Sequence, residues 1–275
     1  MIFMDKMPEL TDRTALMRNR ARSQPGALFL HDIVADEIKE RLKEVNRTFT
    51  SVAIVTGFPD LWRGHFADAT IVEDSEILDL APQSFDLVLH MMALHWANDP
   101  VGQLVQCRHA LKPDGMLLAS CLGGQTLHEL RASLAEAEAV VAGGLSPRIA
   151  PMGEIRDLGA LLQRAGFALP VADGTPLIAN YANMFHLMHD LRKMGETNAL
   201  AHRPRHFTMR NILTEAACVY AENFTNDQGR VDATFEIITL TGWAPDESQP
   251  KPLRPGSATA RLADALGTDE NPLKD

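Results

Sequence analysis

A chain of 275 residues, 45% of them hydrophobic, is long enough to bury one sizeable core and to carry an added subdomain. Its formal net charge of -10 would repel a phosphate backbone, so nucleic acid is disfavoured as a general partner.

The cysteines and the hydropathy pattern bear on location. Cys107, Cys121 and Cys218 are widely spaced and lack the C-x-x-C pattern of zinc or redox sites, so we expect reduced thiols. No apolar run approaches the roughly 20 residues that span a bilayer, and the first residues lack the order of a signal peptide. We therefore expect a soluble cytoplasmic protein without a transmembrane segment.

The first 48 residues are charged and predict an N-terminal helical cap, residues 1–48. Within them, "LFLHDIVADEIKERLKEV" places apolar residues close to one helical stripe. The pattern then changes at "VAIVTG", a β-branched apolar run that is typical of a strand buried on both faces.

Two further runs, "ATIVED" at 69–74 and "FDLVLH" at 85–90, repeat the strand pattern. Only 33 positions separate Ile54 from Leu87, too few for three strand-helix units. We therefore predict a single strand, "ATIVED", between the other two, joined to the first through a short helix at 59–66.

The middle of the chain alternates helix and strand signals. Asp99 and Pro100 predict a capped helix start, and Lys112 to Gly115 predicts a turn into the strand "MLLASCL". Thr126 and Glu129 form a capping-box pattern for a helix that "GG" at 143–144 ends. A further helix, "EIRDLGALLQRAGF", stops near Gly166. This alternation predicts a mostly parallel sheet with helices on both faces.

The last third of the chain predicts a helical insertion and a final strand. Residues 180–227 have a helical pattern, "TFEIITLTGW" at 234–243 predicts a strand, and the proline-rich residues 245–275 predict an extended tail. The main domain is therefore expected at 49–244. The stretch 185–224 is expected to cover the carboxyl edge of the sheet as a lid, since open α/β sheets bind ligands there.

Several segments resemble a known family. "FDLVLHMMALHWANDPVGQLVQCRHALKPDGMLLAS" resembles strands four and five, with the helix between them, of class I S-adenosylmethionine-dependent methyltransferases. In combination, "GGQTLHELR", "MGETNAL" and "ATFEIITLTGW" are similar to the methyltransferase-like complex I assembly-factor family of mitochondria and bacteria. Malonyl carrier protein methyltransferases of biotin synthesis are more distant relatives.

The resemblance implies a class I, type 11-like methyltransferase with a doubly wound, Rossmann-like α/β sheet, shortened on the strand-two side. It also implies S-adenosylmethionine as cofactor and a protein substrate or respiratory-complex subunit as partner. The cofactor loop departs from the family: Gly57 is the only glycine of "SVAIVTGFPDLW", and Phe58 and Pro59 bring bulk where close backbone approach is required. The family's strand-two acid is also missing.

Five residues are the cofactor-site candidates: Gly57, Asp74, Ser75, His90 and His95. By resemblance, Asp74 matches an adenine-contacting carboxylate and Ser75 its neighbour. The histidines follow the fourth family strand, at the edge where such sheets bind ligands. The alternatives are a plain turn at Gly57, a solvated strand end at Asp74 and packing for the neighbouring Trp96. No catalytic base is assigned.

A metal is not predicted. His186, His189 and Asp190 have helical spacing, but a single such pair is weak, and Pro204 interrupts the second pair, His202 and His206. A family member is described as hydroxylating an arginine of a complex I subunit, and iron would suit that reaction. A 2-His-1-carboxylate pattern is not evident in this sequence.

Two functions follow. The first is an S-adenosylmethionine-dependent methyltransferase of unknown acceptor, linked to complex I assembly. The second is a non-catalytic assembly factor or chaperone of the same fold, with weak or no cofactor binding.

Overall fold

The computed structural model of the protein describes residues 9–250, 267 and 268. Within them lie eight α-helices and one six-stranded sheet. The helices are α1 Arg13–Arg20, α2 Phe29–Glu44, α3 Pro59–His65, α4 Pro100–Ala110, α5 His128–Ala142, α6 Ile155–Arg164, α7 Met184–Met194 and α8 Arg210–Phe224. The strands are β1 Val52–Thr56, β2 Thr70–Glu73, β3 Phe85–Met91, β4 Leu111–Leu122, β5 Ala168–Tyr181 and β6 Val231–Trp243.

The sheet has the order β2-β1-β3-β4-β6-β5. Four neighbouring strands, β2, β1, β3 and β4, are parallel, and β6 runs antiparallel to both β4 and β5. The predicted mostly parallel α/β sheet is confirmed. Between β1 and β3 the chain forms only α3 and β2, which confirms the prediction of a single strand in that segment.

Helices cover both faces of the sheet, as in a doubly wound fold. Because successive side chains of a strand point to opposite faces, Leu87 and Leu89 of β3 pack into one apolar cluster and Val88 into the other. The first cluster includes α2, α5, α7 and α8, and the second includes α4 and α6. This arrangement leaves the carboxyl ends of the parallel strands free to form a site.

The strongest local signals are confirmed. Asp99 caps α4 by accepting a hydrogen bond from the Gly102 amide at 2.8 Å, with Pro100 in the first turn. Helix α5 ends at Gly143, whose φ of 68° is the left-handed conformation that glycine adopts easily.

Other local predictions were wrong. Thr126 and Glu129 do not form a capping box, because both bond to β6: the Glu236 amide donates to Thr126 Oγ1 at 3.1 Å and the Thr234 amide to Glu129 Oε1 at 3.0 Å. Strand β4 is longer than predicted and continues through 112–115, where Asp114 has a φ of 59°. Strand β5 was not predicted at all.

The boundaries 1–48, 49–244 and 180–227 stay predictions. Of the predicted extended tail, 245–275, residues 251–266 and 269–275 lie outside the described residues. Among the described residues, no helix is long and apolar enough to cross a membrane.

Candidate functional site

The turn after β1 is filled by a side chain from the N-terminal cap. Thr56 ends the strand, and its hydroxyl accepts a hydrogen bond from the Phe58 amide at 3.2 Å. Arg20, the last residue of α1, lies directly against Gly57: a Cβ added there would lie 2.6 Å from Arg20 Nε, with Cζ and Nη1 closer still. The space beside the one glycine of this loop is therefore occupied by a guanidinium group.

Asp74 follows β2 and holds that guanidinium group in place. Arg20 Nη1 donates to the two carboxylate oxygens of Asp74 at 2.8 and 2.9 Å, and Arg13 Nη1 donates to Oδ2 at 3.2 Å. The Arg20 and Asp74 side chains are only 7% and 5% exposed. Burial acts to raise the pKa of Asp74, but the charges and hydrogen bonds of Arg20 and Arg13 outweigh it and hold the pKa below its ordinary value. Asp74 is thus ionised and already paired within the chain.

The same guanidinium group has unmet hydrogen-bonding capacity. Arg20 Nε and Nη2 are buried without a partner among the described residues, and Arg20 Cζ lies 5.6 Å from the ring centroid of Phe58. A cleft of about 860 Å³ adjoins this pair, lined by Gly57, Phe58, Asp74 and Ser75 as well as by Arg20. The cleft lies at the carboxyl ends of β1 and β2.

These contacts test the fit of S-adenosylmethionine. In the arrangement that the resemblance implies, the backbone at Gly57 approaches the ligand and Asp74 receives the adenine. Here Arg20 occupies the first position and, with Arg13, saturates the second. The residues present do not fit that cofactor in the implied way.

His90 is a buried connector between β3 and the loop after β2. Its Nε2 lies 2.9 Å from Gln103 Oε1, and the Gln103 amide nitrogen donates to the Ser75 carbonyl at 2.9 Å. The amide oxygen therefore accepts from Nε2 in neutral His90. Burial lowers the pKa of His90 and outweighs the hydrogen bond that the ring donates to Gln103, so the ring is neutral near pH 7. His90 contacts Ser75 only through Gln103 and does not line the cleft.

His95 and Trp96 belong to a second group of residues, after β3. The Trp96 indole N–H donates to Glu196 Oε2 at 2.8 Å, and His95 Nε2 lies 3.6 Å from the same oxygen. Burial acts to raise the pKa of Glu196, but His95, Arg20 and Trp96 lower it below its ordinary value. Glu196 comes from the segment between α7 and α8, which thereby reaches the carboxyl end of β3.

This second group borders an apolar cavity of about 390 Å³. Leu122 at the end of β4 forms part of its wall, together with Leu127 and Leu130 around the start of α5. Residues of α7, of the following segment 196–208 and of α8, together called the cover below, also line the wall. That this stretch forms a lid over the carboxyl edge of the sheet stays a prediction. The cavity has the size of small-ligand sites, about 300–1,000 Å³.

The N-terminal cap ties this cover to the domain. The Asp12 amide donates to the Ala199 carbonyl and the Ala201 amide to the Leu10 carbonyl, both at 2.8 Å. Asp12 also pairs with Arg203 at 3.0 Å. The segment before α1 therefore forms a short antiparallel pairing with the cover.

The structure does not bring the five predicted site residues together. Gly57, Asp74 and Ser75 line the cleft beside Arg20, whereas His90 is buried against Gln103. His95 lies beside Glu196, which lines the apolar cavity. Arg13 and Arg20 were missed, because no local pattern shows where α1 will pack. Glu196 lies in the family-like segment "MGETNAL", and spacing alone does not indicate its role. Among the described residues, no group of three or more His, Cys, Asp or Glu is placed to hold a metal.

The chain is similar in sequence to known proteins. Residues 34–119 match the family model of a methyltransferase domain. The chain is 41% identical over 194 residues to the protein "Arginine-hydroxylase NDUFAF5, mitochondrial" of Danio rerio, an alignment that covers 70% of this chain and 60% of that protein. The sequence resemblance to the assembly-factor family is confirmed.

Two other matches complete the comparison. A "Malonyl-[acyl-carrier protein] O-methyltransferase" of Xylella fastidiosa (strain M23) is 34% identical over 177 residues, covering 64% of this chain and 58% of that protein. The solved structure of the YcgJ protein of Bacillus subtilis aligns with 76% of this chain and 97% of its own at 12% identity and a TM-score of 0.48. The chain thus spans between 45% and 60% of the length of the arginine-hydroxylase relatives that it matches.

The cytoplasmic location predicted from the sequence is wrong, because arginine-hydroxylase relatives from several organisms are mitochondrial proteins. Reduced cysteines and the lack of a long apolar run describe any reducing aqueous compartment, so they could not single out the cytoplasm.

Proposed function

We propose that this chain is an assembly factor of the methyltransferase fold, linked to respiratory complex I, that binds a client protein and binds S-adenosylmethionine only weakly. The observation that carries the proposal is Arg20 lying against Gly57 and bonded to Asp74. A ligand in the implied position would have to displace a buried ion pair. The link to complex I comes from the family resemblance.

The client side of the site supports the same proposal. The apolar cavity lined by the α7–α8 cover is well formed, whereas on the cofactor side Arg20 occupies the position against Gly57 and is paired with Asp74. The relative from Danio rerio is named an arginine hydroxylase, so an arginine-bearing segment of a protein is the client that we propose for this cavity.

A second candidate is an active methyltransferase of unknown acceptor. The cleft of about 860 Å³ beside Arg20 favours it, because Gly57 already lines this space at the usual ligand edge and withdrawal of one side chain would enlarge it there. Catalysis would then come mainly from holding the reactants in line, since the sulfonium group of the cofactor already activates the methyl group.

Titration calorimetry with S-adenosylmethionine separates the two candidates. Charge-assisted hydrogen bonds are worth about 1.5–3 kcal/mol each, and about 1.4 kcal/mol is one decade in affinity. We therefore expect the wild-type dissociation constant to lie far above the micromolar range, and Arg20→Ala to bind more tightly. Arg18→Ala, an exposed arginine of the same helix, is the matched control and should behave like wild type. A low-micromolar constant for the wild type would refute the assembly-factor proposal in favour of the methyltransferase.

A further inference from the structure

Among the described residues that line the apolar cavity, Glu196 is the one carboxylate. Its side chain is 11% exposed, its Oε2 accepts a hydrogen bond from the Trp96 indole N–H, and His95 Nε2 lies 3.6 Å from the same oxygen. Oε1 makes no hydrogen bond to any described residue, and it is not among the fully buried unpartnered atoms. One oxygen is therefore fixed and the other is free to accept from a ligand.

The cationic residues of the wall are already paired. Arg148 bonds to Glu138 at 2.6 Å and donates to the Thr208 hydroxyl at 2.8 Å. Arg203 pairs with Asp12 at 3.0 Å. An anionic ligand would find these arginines engaged, whereas a cationic ligand would find a carboxylate with an open acceptor.

The remaining wall selects the shape of the ligand. Leucine, isoleucine, methionine and phenylalanine side chains make up most of the surface, for example Leu130, Ile149, Met188 and Phe235. A carboxylate in such surroundings favours a cation on an alkyl chain, because the chain buries apolar area while the head pairs. A guanidinium group suits this better than an ammonium group, since it is more weakly hydrated and donates two parallel hydrogen bonds to a carboxylate.

We propose that Glu196 is the binding residue for the guanidinium group of a client arginine, whose methylene chain lies along the apolar wall. This inference rests on the client-binding part of the proposed function and adds the residue that makes the cavity selective for arginine. It does not depend on whether S-adenosylmethionine binds. The peptide titration can therefore refute this inference while the cofactor titration supports the proposed function, and the reverse.

The test is calorimetric titration of the full chain with two blocked tripeptides, acetyl-Gly-Arg-Gly-amide and the same peptide with citrulline in place of arginine. Citrulline keeps the shape and removes the charge. We expect the arginine peptide to bind at least tenfold more tightly than the citrulline peptide. In Glu196→Gln, which keeps an oxygen for the Trp96 N–H, that preference should disappear.

Glu222→Gln, the same change at an exposed position of α8, is the matched control and should keep the wild-type preference. Thermal unfolding of each variant verifies that it is folded. Equal binding of both peptides to the wild type would overturn the proposal without recourse to any variant. So would an arginine preference that survives in Glu196→Gln, or no binding of the arginine peptide at millimolar concentration.

Discussion

Replacing Gly57 by alanine tests whether Arg20 occupies the turn after β1. Real Cβ atoms essentially never approach another heavy atom closer than 3.0 Å, and a Cβ at Gly57 would lie 2.6 Å from Arg20 Nε. Gly57 does not have a positive φ, so alanine meets no backbone penalty there. Any loss of stability on this substitution therefore comes from Arg20, whose side chain must move away from Asp74.

The structure sets the size of this cost. An extra methyl group in a packed site lowers the free energy of unfolding by about 1–3 kcal/mol when small shifts can accommodate it. Removing one partner of a buried ion pair lowers it by about 3–5 kcal/mol. Because Arg13 continues to hold Asp74 after Arg20 moves, we expect Gly57→Ala to lower the free energy of unfolding by about 2–3 kcal/mol. In an Arg20→Ala background the added methyl group meets no guanidinium group, and the effect should fall within about 0.5 kcal/mol of zero.

Urea unfolding of the wild type, the two single variants and the double variant measures this coupling directly. Gly64→Ala is the control, since Gly64 is exposed in α3 with no atom within 4 Å of an added Cβ. It should stabilise both backgrounds by about 0.5–1 kcal/mol. An equal cost for Gly57→Ala with and without Arg20 would show that Arg20 does not fill the turn in solution.

Two other outcomes follow from the titration of buried groups. The folded-state pKa of Asp74 lies below its ordinary value of 3.8, so its pairing stabilises the fold above that pH and is lost as the pH falls through the folded-state pKa. The difference in urea midpoint between wild type and Asp74→Asn should therefore shrink as the pH is lowered from 7 to 3, and a constant difference would contradict the pairing with Arg20. Burial raises the pKa of Cys107 and Cys121 to about 12, whereas Cys218 is exposed. A thiol reagent at pH 8 should therefore label Cys218 quickly and the two buried cysteines slowly. Rapid labelling of the folded Cys218→Ser variant would be inconsistent with the burial of Cys107 and Cys121.

The sheet could be predicted from the sequence where the signal is local. Buried β-branched runs such as "VAIVTG" are found as strands, and Asp99 caps the helix that it was expected to cap. Strand β5 escaped prediction because Pro170, Gly174 and Pro176 interrupt its pattern. An edge strand tolerates such residues, since one side of it makes no ladder bonds. Its position at the edge becomes visible only in the assembled sheet.

The site was predictable only in part, for the same reason. The sequence predicts that the loop at Gly57 departs from the family pattern, since the bulk of Phe58 and Pro59 is a local property. That Arg20 occupies this loop could not be predicted, because Arg20 and its partner Asp74 are 54 positions apart in the sequence. Likewise, Thr126 and Glu129 match a capping box by spacing, yet β6 offers both residues stronger partners from more than 100 positions away.

The pairing of the N-terminal segment with the cover has a consequence for synthesis. Thr11 lies opposite Leu200 in an antiparallel bridge, and Asn19 donates to the Thr197 carbonyl at 3.0 Å. A growing chain emerges from the ribosome with its N-terminal part first. Helix α1 must therefore wait until residues near 200 have left the ribosome before it can dock in full. Until α1 has docked, Arg20 is not held beside Asp74. The ion pair at the carboxyl ends of β1 and β2 therefore forms late in synthesis. By then the core strands β1, β3 and β4 are already available to pair.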